Sequence, residues 1–221
     1  MSRAVLITGG SRGIGRACAA RFRAAGDRGA VVARAGTALD ETAAALDVVP
    51  LAADLTDPEA CLAVAARAAA ALGPIEVLIN NAGLIRRHPV DGYPLDDWHA
   101  TLALNLTAPF VLARAVLPAM LERGRGRIVN VASIAGTLGT PGAAAYCATK
   151  WGLIGFTKAL SEEVKAGGVV VTALNPGSVD TRMLAGSGFE AKMSPEDVAE
   201  AVHLLTIAPA AIAGAALDLF G

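Results

Sequence analysis

The chain lacks the marks of several protein classes. Across 221 residues the formal net charge is −1, and only 18% of residues are charged; the pI is about 6.3. No basic surplus is present to hold nucleic acid, and no polybasic patch to hold a membrane surface. Three cysteines, Cys18, Cys61 and Cys147, stand far apart with no C-x-x-C between them. An odd count at that spacing suits neither a disulfide framework nor a zinc site, and fits reduced thiols in a cytoplasmic protein. Cys147 has no histidine near it in sequence to activate it, so inert packing is expected. The opening MSRAVLITGG is too short in apolar residues for a signal peptide, and no later run is expected to span a bilayer. His88, His99 and His203 are scattered, so no metal site is expected. No linker, repeat or low-complexity tract divides residues 1–221, which read as one domain.

What is present is a high apolar content, 54%, arranged in alternating patterns. Segments 4–7, 30–33, 48–53, 75–79, 127–132, 169–174 and 215–220 are short apolar runs, most of them β-branched and without alternation, as expected of strands covered on both faces. Between them lie helical patterns. In 14–25, Ile14, Cys18 and Phe22 recur every four residues. In 58–72, Leu62, Ala65, Ala69 and Leu72 recur at intervals of three and four, behind the cap Asp57-Pro58. Segments 95–121, 146–166 and 195–207 complete the set, the last opened by Ser194-Pro195-Glu196-Asp197. Strands alternating with helices predict a doubly wound α/β fold: a parallel sheet of about seven strands with helices on both faces.

The first strand runs straight into TGGSRGIG, with Gly9, Gly13 and Gly15 in the pattern T-G-x-x-x-G-x-G. Glycines between a strand and a helix permit a tight turn and let backbone N–H groups approach a pyrophosphate at the positive end of the helix. On the 146–166 helix, Tyr146 and Lys150 in YCATK share one face a turn apart. A phenol ionises near pH 10. To exchange protons near neutrality its ionisation must come down by about 2–3 pH units, about 3–4 kcal/mol. A neighbouring ammonium favours the phenolate, so Lys150 is expected to supply part of that lowering.

These motifs together resemble the short-chain dehydrogenase/reductase superfamily. Asp54-Leu55 follows the third strand, NNAG at 80–83 the fourth, and Ser133 ends the fifth. Asn105 lies within a helix, YCATK comes thirteen residues after Ser133, and NPGSVDT at 175–181 follows the sixth strand. The resemblance covers residues 4 to about 183. It implies a nicotinamide cofactor bound by Gly9, Ser11, Arg12, Gly13, Ile14, Gly15, Arg34, Asp54, Leu55, Asn81, Ala82, Gly83, Tyr146, Lys150, Pro176, Gly177, Val179 and Thr181. It implies catalysis by Asn105, Ser133, Tyr146 and Lys150, with pro-S hydride transfer and no metal. Tyr146 would pass a proton to or from the substrate oxygen, Ser133 would hydrogen-bond that oxygen, and Lys150 would tune the phenol and bind ribose hydroxyls. Asn105 would hold a water linking the lysine to solvent.

At the end of the second strand, where a carboxylate clasps the ribose of NAD users, Ala33 stands instead, followed by Arg34. With Arg12 in the phosphate loop, that favours NADP(H) over NAD(H). The loop after NNAG, LIRRHPVDGYPLDDW, resembles sugar-acid dehydrogenases such as gluconate 5-dehydrogenases, with Arg86 or Arg87 to meet a carboxylate. The phosphate loop and GRGRIVNVASIAG resemble 3-oxoacyl-acyl-carrier-protein reductases, with Arg123, Arg125 and Arg127 to meet an acidic carrier. A non-catalytic NADP(H)-sensing protein is the reading from another class, though such proteins typically lose the tyrosine or the lysine. Only twelve residues separate Thr181 from Ser194, and the chain closes on ALDLFG, so the family resemblance predicts a shortened lid and a more open site, or a lid completed by a neighbouring subunit. A homodimer or homotetramer is expected through helices 95–121 and 146–166, where Ala143, Ala144, Ala145, Gly152 and Gly155 permit close approach. The substrate is expected to be a small carbonyl compound or alcohol.

Overall fold

Seven strands form one sheet in which every pairing is parallel: β1 (Ala4–Thr8), β2 (Arg28–Ala33), β3 (Val49–Ala52), β4 (Val77–Asn80), β5 (Gly126–Val131), β6 (Val169–Pro176) and β7 (Ala216–Leu219). The computed structural model describes residues 2–185 and 187–221. Strand order is β3-β2-β1-β4-β5-β6-β7. The chain winds outward from β1 to one edge, then returns to β4 and winds to the other. The order therefore reverses between β1 and β4, opening a crevice at their C-terminal ends where open α/β sheets bind ligands.

The helices are α1 (Gly13–Ala24), α2 (Thr37–Leu46), α3 (Pro58–Leu72), α4 (Leu95–Leu102), α5 (Ala108–Glu122), α6 (Ala144–Val164) and α7 (Pro195–Ile207). Because side chains alternate along a strand, the unbroken apolar runs feed two cores at once. Ala4 and Leu6 of β1 join Ala68, Leu112 and Leu160 from α3, α5 and α6. Val5 and Ile7 join Cys18, Phe22 and Val202 from α1 and α7 on the opposite face. Two-sided burial explains why the strands carry no polar alternation.

Helix starts follow their caps. Asp57 accepts from the Glu59 N–H at 2.9 Å. At α7, Ser194 Oγ accepts from the Asp197 N–H at 3.2 Å while Asp197 Oδ2 accepts from the Ser194 N–H at 2.8 Å, a reciprocal box.

Three expectations are corrected. Helix α2 was not foreseen: it buries only Leu39 and Thr42, too thin a stripe to show as periodicity. The buried face of α3 is Cys61, Val64, Ala65, Ala68 and Leu72, with Leu62 and Ala69 only partly covered; in an alanine-rich helix several faces are apolar enough to compete. Segment 95–121 is continuous to Glu122 but not uniform, since residues Ala103–Thr107 form a π-helical turn. This same run, Leu95–Glu122, is long and apolar enough by length and composition to cross a membrane, with mean hydropathy 1.6, which the sequence reading did not anticipate. In the fold that apolarity serves packing: Val111, Leu112, Val116 and Met120 are buried in the core.

Candidate active site

The crevice between β1 and β4 is closed by Thr8. Its Oγ1 accepts from the N–H groups of Asn81 and Ala82, both at 2.9 Å. The Asn81 amide donates back to the Thr8 carbonyl at 2.9 Å, so NNAG is locked to the phosphate loop. At Gly15 a Cβ would lie 2.2 Å from the Gly9 carbonyl oxygen, and at Gly9, with φ +67°, it would lie 2.9 Å from Asn81 Nδ2. Both positions need glycine for the backbone to turn this sharply. A side chain on Gly13 would meet the Thr181 methyl group at 3.3 Å, so the loop after β6, from Pro176 through Gly177 and Thr181, folds over the start of α1. Ser11 is held from behind by Thr42 of α2, whose hydroxyl donates to the Ser11 carbonyl at 3.2 Å. Ile14 is half-buried at the head of α1, and the first turn of α1 carries no acidic residue. A glycine cradle at an uncontested helix N-terminus fits a diphosphate.

At the outer end of the crevice, Arg34, Ala35, Ala52, Ala53 and Asp54 line an open depression of about 280 Å³. Strand β2 ends at Ala33 with no carboxylate, and Arg34 and Arg12 are both exposed. Neither makes an ion pair among the described residues. Asp54 accepts from the Thr56 N–H at 3.0 Å and the Thr56 hydroxyl at 2.8 Å. Those bonds hold its carboxyl below the usual carboxylate range, helped by Arg34. The Leu55 side chain is buried in the core. Likewise the Val179 side chain belongs to the core.

Tyr146 and Lys150 do share the buried face of α6, and they come together above the end of β5. The Lys150 Nζ donates to the Val131 carbonyl at 2.8 Å and lies 5.5 Å from the centre of the Tyr146 ring. Ser133, the residue after Ala132 at the end of β5, caps a short helical turn by accepting from the Ala135 N–H at 3.1 Å, and its hydroxyl draws the Tyr146 phenol pKa down. Asn105 sits in the π-helical turn. Its Oδ1 accepts from the Leu84 N–H and its Nδ2 donates to the Leu84 carbonyl, each at 2.9 Å; Nδ2 also donates to Thr149 Oγ1 at 3.2 Å. The extra residue of a π turn is what lets this side chain clamp the chain after NNAG. Gly83 lies directly over this pair: a Cβ there would be 3.4 Å from Asn105 Oδ1 and 3.9 Å from Lys150 Nζ.

The expected lowering of the phenol by Lys150 is not what these side chains produce. Burial pushes the Tyr146 phenol up; the Ser133 hydrogen bond and, more weakly, the Arg87 guanidinium pull it down, while Cys147 pushes it up further. Lys150 is itself pushed down by burial to about 8, and its ammonium is directed to the Val131 carbonyl below the ring. The lysine is thus a cation with a weakened hold on its proton, 5.5 Å from the ring centre. Near neutral pH the phenol is protonated, the state that gives a proton away.

The three cysteines differ. Burial raises Cys18 to about 12 and Cys61 to about 11, as befits inert thiols, and Cys147 is partly exposed beside Tyr146.

The basic residues of GRGRIVNV do not lie at this edge. Arg127 opens β5, at the sheet edge opposite Ser133. Arg123 donates to the Ile75 carbonyl at 2.8 Å, and Arg127 donates to the carbonyls of Thr206 and Ala208, both at 3.1 Å. Arg125 pairs with Glu76 at 3.4 Å. All three are engaged within the fold and stand far from the tyrosine, which counts against their meeting a carrier that delivers substrate. Sequence reasoning also missed Thr8 and the Val131 carbonyl, since hydrogen bonds between strands leave no periodic signal.

Fold and site together define a nucleotide-binding oxidoreductase class. The chain belongs to the short chain dehydrogenase family, whose profile matches residues 3–191. It is 42% identical over 184 residues to 2-dehydro-3-deoxy-L-rhamnonate dehydrogenase (NAD(+)) of Sphingomonas sp. strain SKA58, covering 82% of this chain and 74% of that protein. It is 35% identical over 225 residues to 3-oxoacyl-[acyl-carrier-protein] reductase of Synechocystis sp. strain PCC 6803, covering 95% and 91%. Among solved structures, a blue fluorescent protein from a metagenomic library in complex with NADPH superposes with a TM-score of 0.92 at 30% identity, covering 99% of this chain and 96% of that one. Relatives named as dehydrogenases and reductases of hydroxyl and keto groups make this chain an enzyme of the same oxidoreductase family.

Because Lys150 titrates at about 8, ketone reduction should hold steady below that pH and fall as pH rises through it, when the ammonium is lost. On the proton-transfer role proposed below for Tyr146, alcohol oxidation should instead rise with pH as the phenol loses its proton. Initial rates in both directions from about pH 6 to about pH 10 check this; a reduction rate that stays level across the whole range would contradict it.

Proposed function

We propose that the protein is an NADP(H)-dependent oxidoreductase that interconverts a ketone and a secondary alcohol, acting in the cytoplasm as one domain. The observation that carries the reading is the placing of Tyr146 and Lys150 on one buried face of α6, with Lys150 bound to the Val131 carbonyl at the end of β5 where Ser133 follows, beside the glycine cradle. In this reading the cofactor's diphosphate rests on the backbone of residues 9–15, NNAG forms the floor, and Pro176, Gly177, Val179 and Thr181 cover the nicotinamide end. The nicotinamide, when bound, supplies or accepts the hydride. Tyr146 gives its proton to the carbonyl oxygen in reduction and takes it from the alcohol in oxidation. Ser133 hydrogen-bonds the same oxygen and favours its developing charge. Lys150 holds ribose hydroxyls and keeps positive charge beneath the phenol. The Asn105 side chain is engaged with Leu84 and Thr149, so a water relay to Lys150 would hang from its main chain.

Removing the phenol hydroxyl separates chemistry from binding. Tyr146→Phe should lower kcat by about 10²-fold or more while cofactor affinity, read by fluorescence titration, changes little. Ketone reduction by the variant at the wild-type rate would refute the acid/base role.

Coenzyme choice rests on Arg34, after a β2 end without a carboxylate, and on Arg12 at the head of α1. A 2′-phosphate between them gains charge-assisted hydrogen bonds of about 1.5–3 kcal/mol. The wild type should favour NADPH over NADH in kcat/KM, and Arg34→Ala should reduce that ratio about tenfold or more. A wild-type preference for NADH would overturn the assignment.

Assembly is proposed as a homodimer or homotetramer through the outer faces of α5 and α6. Phe110 and Trp151 are half exposed there, and Gly155 opens onto free space, whereas Gly152 packs against Leu106 of the same chain. Trp151→Glu should shift the mass read by light scattering toward the monomer; a wild-type protein that is itself monomeric at assay concentration would end this reading.

A further inference from the structure

A second cavity, of about 350 Å³, lies at the sheet edge opposite Ser133, under the first residues of β4 and β5. Arg3, Glu76, Arg125, Arg127, Gly168 and Thr206 line it. Gly168, at φ +76°, lies so near the Gly124 carbonyl oxygen that a Cβ would be 2.0 Å from it, so this wall is bare backbone. Three guanidiniums meet here with partners of different kinds. Arg3 pairs at 2.6 Å with Asp27, a carboxylate only 4% exposed, which matches its charge within the fold. Arg125 reaches Glu76 as a looser ion pair of 3.4 Å and keeps 63% of its side chain exposed. Arg127 makes no ion pair among the described residues. Its Nε donates to the Thr206 carbonyl and its Nη2 to the Ala208 carbonyl, both at 3.1 Å. Arg3 Nη1 donates to the same Thr206 carbonyl at 3.2 Å, so two guanidiniums converge on one oxygen.

Neutral carbonyls hold a guanidinium in position without cancelling its charge. Burial and the neighbouring Arg3 charge both bring the Arg127 pKa down, the mark of a cation short of a counter-ion. Asp27 and Glu76 offset Arg3 and Arg125, and the charge of Arg127 is left over, fixed at the cavity wall. Guanidinium forks match the spacing of phosphoryl oxygens. We propose that the cavity is a second ligand site, in which Arg125 and Arg127 bind the phosphoryl group of a small anion. The ligand is not the substrate, because Arg127 opens β5 while Ser133 follows the far end of that strand. Nor is it a protein surface, since a cavity of about 350 Å³ has the volume of a small-molecule pocket. Glu76 opposes the anion and competes for Arg125. An anion that binds only the folded chain also stabilises it, here by bridging the start of β5 and the end of α7.

Isothermal titration with inorganic phosphate and with glycerol 3-phosphate reads the affinity, with NADPH present to occupy the glycine cradle. Potassium chloride at matched ionic strength and uncharged glycerol are the controls. Wild type should bind the phosphoryl anions and not glycerol, and its Tm should rise with phosphate. Arg125→Gln and Arg127→Gln should each weaken binding about tenfold or more. Glu76→Gln should tighten it, which a merely structural role for these side chains would not do. Arg12→Gln, in the phosphate loop at the other edge, should leave it near the wild-type value. Tighter binding of glycerol 3-phosphate than of phosphate would make the ligand a phosphate monoester, and the reverse order would make it free phosphate. Arg127→Gln also removes bonds to the end of α7; should it fail to fold, Arg125→Gln and Glu76→Gln carry the test. A wild type that binds neither anion, an affinity unmoved by Arg125→Gln, weaker binding by Glu76→Gln, or binding abolished by Arg12→Gln alone would each overturn the site. All of these outcomes leave the reductase reading in place.

Discussion

One hydrogen bond organises the site: the Lys150 ammonium on the Val131 carbonyl, 2.8 Å long and almost wholly buried. A buried cation with a single carbonyl partner is costly unless its position matters. Here it ties α6 to the end of β5, and because Tyr146 lies one turn earlier on the same helix, it also fixes the phenol above Ser133. Gly83 and Gly136 are part of the same constraint. A side chain at Gly136 would come within 3.0 Å of the Lys150 carbonyl oxygen, so α6 could not settle onto the sheet at this distance.

The electrostatics of the site follow from that burial. Desolvation acts on both members of the pair, raising the phenol and lowering the ammonium, so each moves toward its neutral form. What opposes it for the phenol is local: the Ser133 hydroxyl and, more weakly, the Arg87 guanidinium. Tyr146 is thus held protonated by its surroundings near neutral pH, which suits the proton-donating role proposed for it.

Much of the fold was legible because its forces are periodic. Strand runs covered on both faces, capped helix starts such as Asp57 and Ser194, and the spacing of Tyr146 and Lys150 all leave a pattern in the chain. The misses share a cause. Helix α2 buries too little to show a stripe, and the face of α3 is ambiguous because alanine is apolar on every side. The π turn at 103–107 depends on Asn105 finding Leu84, a partner twenty-one residues away. Arg123, Arg125 and Arg127 resembled a docking patch in one dimension, but strand direction carries them to the opposite sheet edge.

The succession of strands, the capped helix starts and the glycine turn after β1 were determined by the sequence alone, because each rests on local periodicity or on a few contiguous residues. Only the tertiary structure decided which way the phenol and ammonium shift, that Arg86 pairs with Asp97, and that Thr8 joins the two halves of the crevice. Those outcomes depend on burial and on contacts between distant segments, and neither quantity exists until the chain has folded.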